Sequence, residues 1–353
     1  MHSRTNEILS RVRKMIQEGE FASGFLPSER ELCEELDISR GTLRAIYRNL
    51  EDEKLIRRIP GRGMKVLSIF ERVEQHKILL VLPSKGIRAT ETASILQGAA
   101  TAAEEENAEL VLFFQDKNAD CSRLAARIHE TPWDGVVFVE DFPHAIIKTL
   151  DAAKCRYCIA NYEEGEKLPA CRVDFRAVGR VAGGYLVKKG FRRIGFIGGG
   201  AKCFHYHEML AGLKGALAEE DLRVEEGCVF NFEKDDDAKN CAVIAKALEG
   251  HVGERIAFFA GRDHWARPLY RACRSLSLGI PDDVAVIGYD GLSWEEAAVN
   301  GLSTIMQPAL ETGAAAVHAI CNGDATLTAD DTVLLPPGQL IERNSVEKRS
   351  DLP

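Results

Sequence analysis

Hydrophobic and polar positions change their period along this chain. Between residues 8 and 50 the apolar residues recur at helical spacing. Ile8, Leu9, Val12, Met15 and Ile16 predict a first helix. Leu32 and Leu36, with Cys33 beside them, predict a second. Leu43, Ile46, Tyr47 and Leu50, spaced i, i+3, i+4 and i+7, predict a third. Polar punctuation sets the boundaries. Ser28 and Glu31 form an S-x-x-E capping box just after Pro27, and Ser39 caps the third helix. Asp37 falls in the turn between them, where a left-handed backbone is often needed and Asp tolerates it better than most residues. A basic Gly-Arg-Gly hairpin follows at Gly61, Arg62 and Gly63.

From residue 77 the pattern becomes short apolar runs separated by helical stretches. Strands are predicted at 77–83, 110–114, 135–141 and 157–161, with an alanine-rich helix near 91–106. After Asp174 the alternation resumes, with helices at 176–189 and near 206–220 and strands at 193–199, 229–232, 255–261 and 284–290. Apolar strands alternating with helices imply parallel sheets covered on both faces, and two such series imply two doubly wound lobes with a cleft between them.

Charge sharpens this division. The chain of 353 residues carries a net charge of −9. Residues 1–70 hold 13 Lys and Arg against 11 Asp and Glu, a balance of +2, which leaves −11 for the remainder. An acidic body argues against nucleic-acid contact outside the N-terminal segment. Within that segment, Arg40, Arg44 and Arg48 lie four residues apart on the open face of the third helix, where guanidinium groups reach phosphates and guanine edges in a major groove. Arg57, Arg58, Arg62 and Lys65 flank the nearby glycine turn. These parts together predict a winged helix-turn-helix that grips duplex DNA. No apolar run is long enough to span a bilayer, and the N-terminus has no apolar signal core, so a cytoplasmic location is expected.

The segments L-P-S-E-R-E-L, D-I-S-R-G-T-L-R and L-I-R-R-I-P-G-R-G, within residues 5–67, resemble the gluconate-repressor (GntR) class of bacterial regulators. The resemblance implies DNA contacts from Arg30, from Ser39, Arg40, Gly41, Thr42 and Arg44, and from Arg62 and Gly63 at the wing tip. Gly41 stands where a polar residue is usual, and Met64 where threonine is common. Further on, V-D-F-R-A-V-G-R-V-A-G-G-Y-L-V-K-K-G-F-R-R-I-G-F-I-G-G, L-G-I-P-D-D-V-A-V-I-G-Y-D-G, L-S-T-I-M-Q-P and L-L-P-P-G-Q-L-I-E-R-N-S resemble the effector domains of lactose/galactose repressors, whose fold is periplasmic binding protein-like. The combination is similar to bacterial arabinose repressors. It implies a ligand-responsive transcriptional regulator, a repressor of carbohydrate-utilisation genes. Such a protein works as a homodimer on a pseudo-palindromic operator. The expected layout is a winged helix-turn-helix over 1–68, a linker over 69–76, a two-lobed effector-binding and dimerisation domain over 77–345 and a tail over 346–353.

For the effector site the resemblance implies Asp290 of G-Y-D, Arg262 with Asp263 of A-G-R-D-H-W-A, and Asn161 after I-A. Met209 stands where an arginine commonly clamps a sugar, with His207 and Glu208 as nearby substitutes. Arg262 replaces an amide and suits bidentate recognition of carboxylate or phosphate, so an effector with an acidic group, such as a uronate or sugar phosphate, is expected. If Arg262 instead pairs internally with Asp263 or Glu208, the site is neutral.

Other signals point less far. Gly198-Gly199-Gly200 follows a strand but lacks the phosphate-loop pattern and reads as a turn at the cleft rim. Cys203, His205 and His207 alternate, and read as cleft-lining polar residues in preference to metal ligands. Cys155-x-x-Cys158 has no second ligand pair. Trp265 and Trp294 serve either the core or a sugar ring. No cofactor or metal is expected, and no G-x-S-x-G, H-E-x-x-H or Walker A signature supports an enzyme. The competing reading is a winged helix fused to a catalytic domain.

Overall fold

Helix α1 (His2–Gln17), α2 (Glu29–Leu36) and α3 (Arg40–Asp52) pack around one apolar centre, followed by the antiparallel strands β1 (Ile56–Ile59) and β2 (Gly63–Val66). In this computed structural model the chain divides between His76 and Lys77 into two units. The structure describes residues 2–21, 23–59, 62–67, 76–83, 89–140, 142–162, 167–200, 203–233, 236–251, 253–291, 301–322 and 332–347. Nearly all of the linker expected at 69–76, most of the expected tail, and Trp294, lie outside the described residues.

The local chemistry of the first unit follows its sequence signals. Ser28 N–H donates to Glu31 Oε2 at 2.9 Å while Glu31 N–H donates to Ser28 Oγ at 3.3 Å, closing the capping box. Asp37 adopts φ 49°, ψ 54°, and Ile38 N–H returns to Cys33 O at 3.1 Å. Ser39 Oγ accepts from Thr42 N–H. Val12, Leu32, Leu43, Ile46 and Leu50 are wholly buried together. Each such side chain contributes about 1.5–3 kcal/mol relative to exposure.

The second unit holds two six-stranded sheets. The first has the order β13-β7-β6-β5-β3-β4, from β3 (His76–Leu82), β4 (Ala108–Phe114), β5 (Gly135–Val139), β6 (Arg156–Ala160), β7 (Ala170–Val173) and β13 (Val333–Leu335). Its neighbours from β13 to β3 are parallel. One face carries α4 (Ala89–Glu105) and α11 (Ala309–Cys321), the other α5 (Ser122–Glu130) and α6 (Ile147–Ala153). The second sheet has the order β14-β12-β11-β10-β8-β9, from β8 (Ile194–Gly199), β9 (Val224–Phe232), β10 (Ile256–Ala260), β11 (Val284–Asp290), β12 (Ser303–Met306) and β14 (Leu340–Ile341). Only its pairing of β12 with β14 is antiparallel. Helices α7 (Phe175–Lys188) and α8 (Phe204–Ala218) cover one face, α9 (Asp237–Leu248) and α10 (Ala266–Ser275) the other. Phe258 and Phe259, adjacent on β10, enter opposite cores, as a strand's two-residue period requires.

Chain order and lobe membership part company late in the sequence. After β12 the chain returns to the first lobe for α11 and β13, then back for β14. The chain therefore crosses near Asp174, Gln307 and residues 336–339. The crossings are tied together: Asp174 N–H donates to Leu335 O at 2.8 Å, and Gly338 N–H to Met306 O at 3.0 Å. Asp174 also caps α7 through Ala177 N–H. Gly179 on α7 lies against the backbone of Met209 on α8, where a Cβ would collide. That contact lets the two helices pack closely.

Candidate functional site

The first candidate surface is the open face of α3. Ser39 and Thr42 spend their hydroxyls on the cap, with Ser39 Oγ and Thr42 Oγ1 3.0 Å apart, so both start the helix as well as facing outward. Burial of Leu43, Ile46, Tyr47 and Leu50 turns the opposite side to solvent, and Arg40, Gly41, Arg44 and Arg48 are exposed there. Arg44 Nη2 rests 3.3 Å from Glu29 Oε2 on α2. Arg30, exposed on α2, lies 3.5 Å from Glu34. Exposed pairs of this kind are worth little and are readily exchanged for a phosphate. A Cβ at Gly41 would meet nothing closer than Ser39 Oγ at 3.7 Å, so the glycine leaves the backbone open to close approach.

The hairpin is anchored from behind. Leu26 N–H donates to Met64 O at 2.8 Å and Val66 N–H to Gly24 O at 2.9 Å. Arg62 is exposed at its tip with its guanidinium 5.1 Å from the Phe25 ring centroid, and Gly63 takes φ 102°. Arg58 and Met64 face each other across the two strands. Recognition-helix arginines, a capped turn and a basic hairpin are thus all built on one small core.

The second candidate site lies where the two lobes of the larger unit meet. Arg262 follows β10 and Asp290 ends β11, at the C-terminal edge of a parallel sheet where open α/β folds take ligands. Arg262 Nη1 donates to Asp290 Oδ1 at 2.8 Å, with both side chains almost completely buried. The alternative reading of an internal pairing named Asp263 or Glu208, and the partner found here is Asp290. Glu208 accepts from Arg176 at 3.0 Å, and Asp263 Oδ1 accepts from Thr304 Oγ1 at 2.7 Å. The charge of Arg262 is therefore compensated within the protein, and the premise of a free cation awaiting an acidic ligand falls.

A polar chain continues from this pair across the lobes. Gln307 N–H donates to Asp290 O at 3.4 Å, Gln307 Nε2 donates to Asn161 Oδ1 at 2.6 Å, and Asn161 Nδ2 donates to Glu91 Oε1 at 2.6 Å. Asn161 is 2% exposed and takes φ 61°, a left-handed conformation that Asn adopts more readily than most residues. Glu91 and Gln307 are also buried. The sequence reading missed both. The signal was present, since Glu91 lies at the start of the helix predicted near 91–106 and Gln307 within L-S-T-I-M-Q-P.

Beside Arg262, a tight gap without room for a water molecule is walled by Gly198, Gly199, His205, Tyr206, Met209 and Trp265, among others. His205 lines this gap, whereas His207, two residues on along α8, is exposed. Met209 forms the floor and is wholly buried in the second-lobe core, so it presents no polar group. Trp265 takes the core role foreseen for it, buried and packed with its ring centroid 6.1 Å from that of Phe232. Burial pulls the Arg172 guanidinium below its ordinary pKa, and it lies 4.5 Å from the Phe204 ring centroid. Among the described residues no group of three or more His, Cys, Asp or Glu is placed to hold a metal. Cys158 Sγ sits 3.6 Å from Cys171 Sγ on the neighbouring strand, not beside Cys155.

Comparison with known proteins bears on both units. Residues 4–66 match the family of bacterial regulatory proteins, gntR family, and residues 184–346 match a periplasmic binding protein-like domain. The chain carries both domains. It is 23% identical over 339 residues to the arabinose metabolism transcriptional repressor of Geobacillus stearothermophilus, covering 93% of this chain and 88% of that one. It is 28% identical over 172 residues to the HTH-type transcriptional repressor PurR of Vibrio campbellii, covering 48% of this chain and 50% of that one. The chain thus spans about half the length of that relative. Among solved structures, a transcription regulator from Lactobacillus plantarum superposes with a TM-score of 0.60 at 18% identity, over 77% of this chain and 99% of that one. That likeness and the two family matches together establish the fold: a gntR-type head and a two-lobed, binding-protein-like body. Among the described residues, no helix is long and apolar enough to cross a membrane.

Proposed function

We propose that this chain is a ligand-responsive transcriptional repressor that controls carbohydrate-utilisation genes. The observation that carries the reading is the exposed arginine face of α3, presented by a capped helix-turn-helix. Arg40 and Arg44 read or grip the major groove. Ser39, Gly41 and Thr42 bring the helix start to the backbone, Arg30 holds a phosphate, and Arg62 with Gly63 forms the wing contact. A homodimer places two such helices on a pseudo-palindromic operator in the cytoplasm. The larger unit takes a sugar-like effector among Asn161, Arg262, Asp263 and Asp290, above Met209. His207 lies at the rim. The effector changes operator affinity through its unequal affinity for two arrangements of the lobes. The gntR-type head and the repressor names of the relatives support this reading.

Selection of genomic DNA fragments by the purified full chain at fixed salt, followed by footprinting, tests it. The expected result is protection of an inverted repeat, weakened or strengthened by a sugar-like ligand. Equal affinity for all fragments at moderate salt overturns the regulator reading.

A further inference from the structure

We infer that an open pocket on the solvent side of α10 is a second ligand site, which takes an organic phosphate of nucleotide size. The pocket shares no lining residue with the gap beside Arg262. The inference needs nothing in the inter-lobe cleft, so it stands or falls apart from the sensor reading.

Three observations carry it. First, positive charge gathers here against the trend of the body. Arg267, Arg271 and Arg274 stand at i, i+4 and i+7 on α10, so one helical face presents all three. They line a pocket of about 470 Å³, and among the described residues no carboxylate lines it. The chain beyond residue 70 carries a balance of −11, so an acid-free pocket with three arginines departs from its surroundings. A second open pocket, between α7 and α8, follows the trend: Glu219 and Glu220 offset Arg180, Lys188 and Arg192 there.

Second, the guanidiniums are oriented but not used up. Arg271 Nη2 lies 3.2 Å from Asp237 Oδ2 at the start of α9, and Arg267 Nε lies 3.8 Å from Asp237 Oδ1. One carboxylate thus serves two arginines and leaves one positive charge over. The exposed Arg274 side chain makes no hydrogen bond or ion pair with the described residues, which leaves a second. A phosphate monoester carries about −1.5 to −2 at neutral pH and matches that surplus. Its oxygens also suit the planar donor fork of arginine.

Third, the rest of the wall is apolar and firmly held. Tyr270, Leu278 and Ile280 line it. Beneath them Ala266, Leu269, Ala272 and Cys273 anchor α10 in the core. Leu278 N–H donates to Cys273 O at 2.9 Å and fixes the following loop against the helix end. A bare inorganic anion leaves this apolar wall wet, whereas a ring or aliphatic body attached to the phosphate covers it. The volume lies within the range of small-molecule sites.

Titration calorimetry on the full chain tests the inference. The probes are adenosine 5′-monophosphate, phenyl phosphate and glucose 6-phosphate, compared with inorganic phosphate, citrate and adenosine. The best organic phosphate is expected to bind about tenfold tighter than any of the comparison compounds, and less tightly as salt rises. A double variant, Arg271→Gln with Arg274→Gln, is expected to weaken it by about tenfold or more. Thermal melting and sedimentation check that this variant keeps its fold and oligomeric state. Lys188→Gln with Arg192→Gln removes the same charge from the pocket between α7 and α8, and is expected to leave affinity unchanged. That control separates the pocket from general attraction to the chain, the DNA-binding head included. Silence from every phosphate overturns the inference, as does inorganic phosphate or citrate binding as tightly as the best organic phosphate. Unchanged affinity in the folded α10 variant, or equal losses in the two double variants, also overturns it. So does a loss of affinity that comes with a change of oligomeric state. Each of these outcomes leaves the sensor reading untouched.

Discussion

At the scale of single residues, the two sites place opposite demands on arginine. Arg44 is useful because it is exposed and only loosely held by Glu29. Replacing it with alanine should leave the fold unchanged and weaken operator binding by about 1–3 kcal/mol, read by fluorescence anisotropy at matched salt. Arg262 is useful because it is buried and tightly held by Asp290. Asp290→Ala removes this buried partner of the guanidinium, and the expected loss is about 3–5 kcal/mol of unfolding free energy in urea. Replacing both partners with apolar residues of similar size should cost much less, because no lone charge remains. A double variant as unstable as Asp290→Ala would show that the pair is not the source of the loss.

At the scale of elements, the turn between α2 and α3 decides how the recognition helix is presented. Asp37 holds a left-handed backbone while exposed to solvent. Asp37→Gly removes the Cβ strain, and the first unit should gain up to about 1 kcal/mol of stability by thermal melting. Ser28→Ala should cost about 0.5–2 kcal/mol through loss of the α2 cap. The same cap carries a pH signature. Hydrogen bonds from Ser28 hold the Glu31 carboxyl below its ordinary range. The cap's contribution is therefore complete above the ordinary glutamate range and is lost as pH falls through the lowered value. A stability profile of the first unit measured between pH 6 and the acid limit, on parent and Glu31→Gln proteins, should converge at low pH.

At the scale of the whole molecule, charge is divided between the parts. A head of +2 and a body of −11 leave DNA affinity to local clustering on α3 and the hairpin. Operator binding should fall steeply with salt, with a log–log slope near −0.9 for each phosphate neutralised, and removal of Arg40 should reduce that slope by about one. Coupling between the two sites is reciprocal. Whatever factor the effector changes in operator affinity, the operator must change in effector affinity, and calorimetry with and without operator measures both sides.

Periodicity and punctuation in the sequence determined most of the architecture. Capping serines, the Asp37 turn and the i, i+3, i+4, i+7 stripe are local signals, and local hydrogen bonds realise them with little help from distant residues. Most of the parallel strands were equally legible, since strands buried on both faces read as continuous apolar runs, but the short strands β7, β12 and β13 were not read. The lobe that receives each late segment was decided by tertiary structure alone. Helix α11 and strand β13 return to the first lobe because α11 finds its apolar partner in α4, a pairing no local pattern announces. The cleft chemistry was hidden for the same reason. Sequence named Arg262 and Asp290 but not that each would satisfy the other. It named both His205 and His207 as cleft-lining, and only helical phase set His205 half-buried while His207 faces solvent. It passed over Glu91 and Gln307, 216 positions apart, which meet through Asn161 only once the lobes are joined. Local structure depends on near neighbours in the chain, whereas the charge and hydrogen-bonding capacity of a site depend on which distant groups burial brings together.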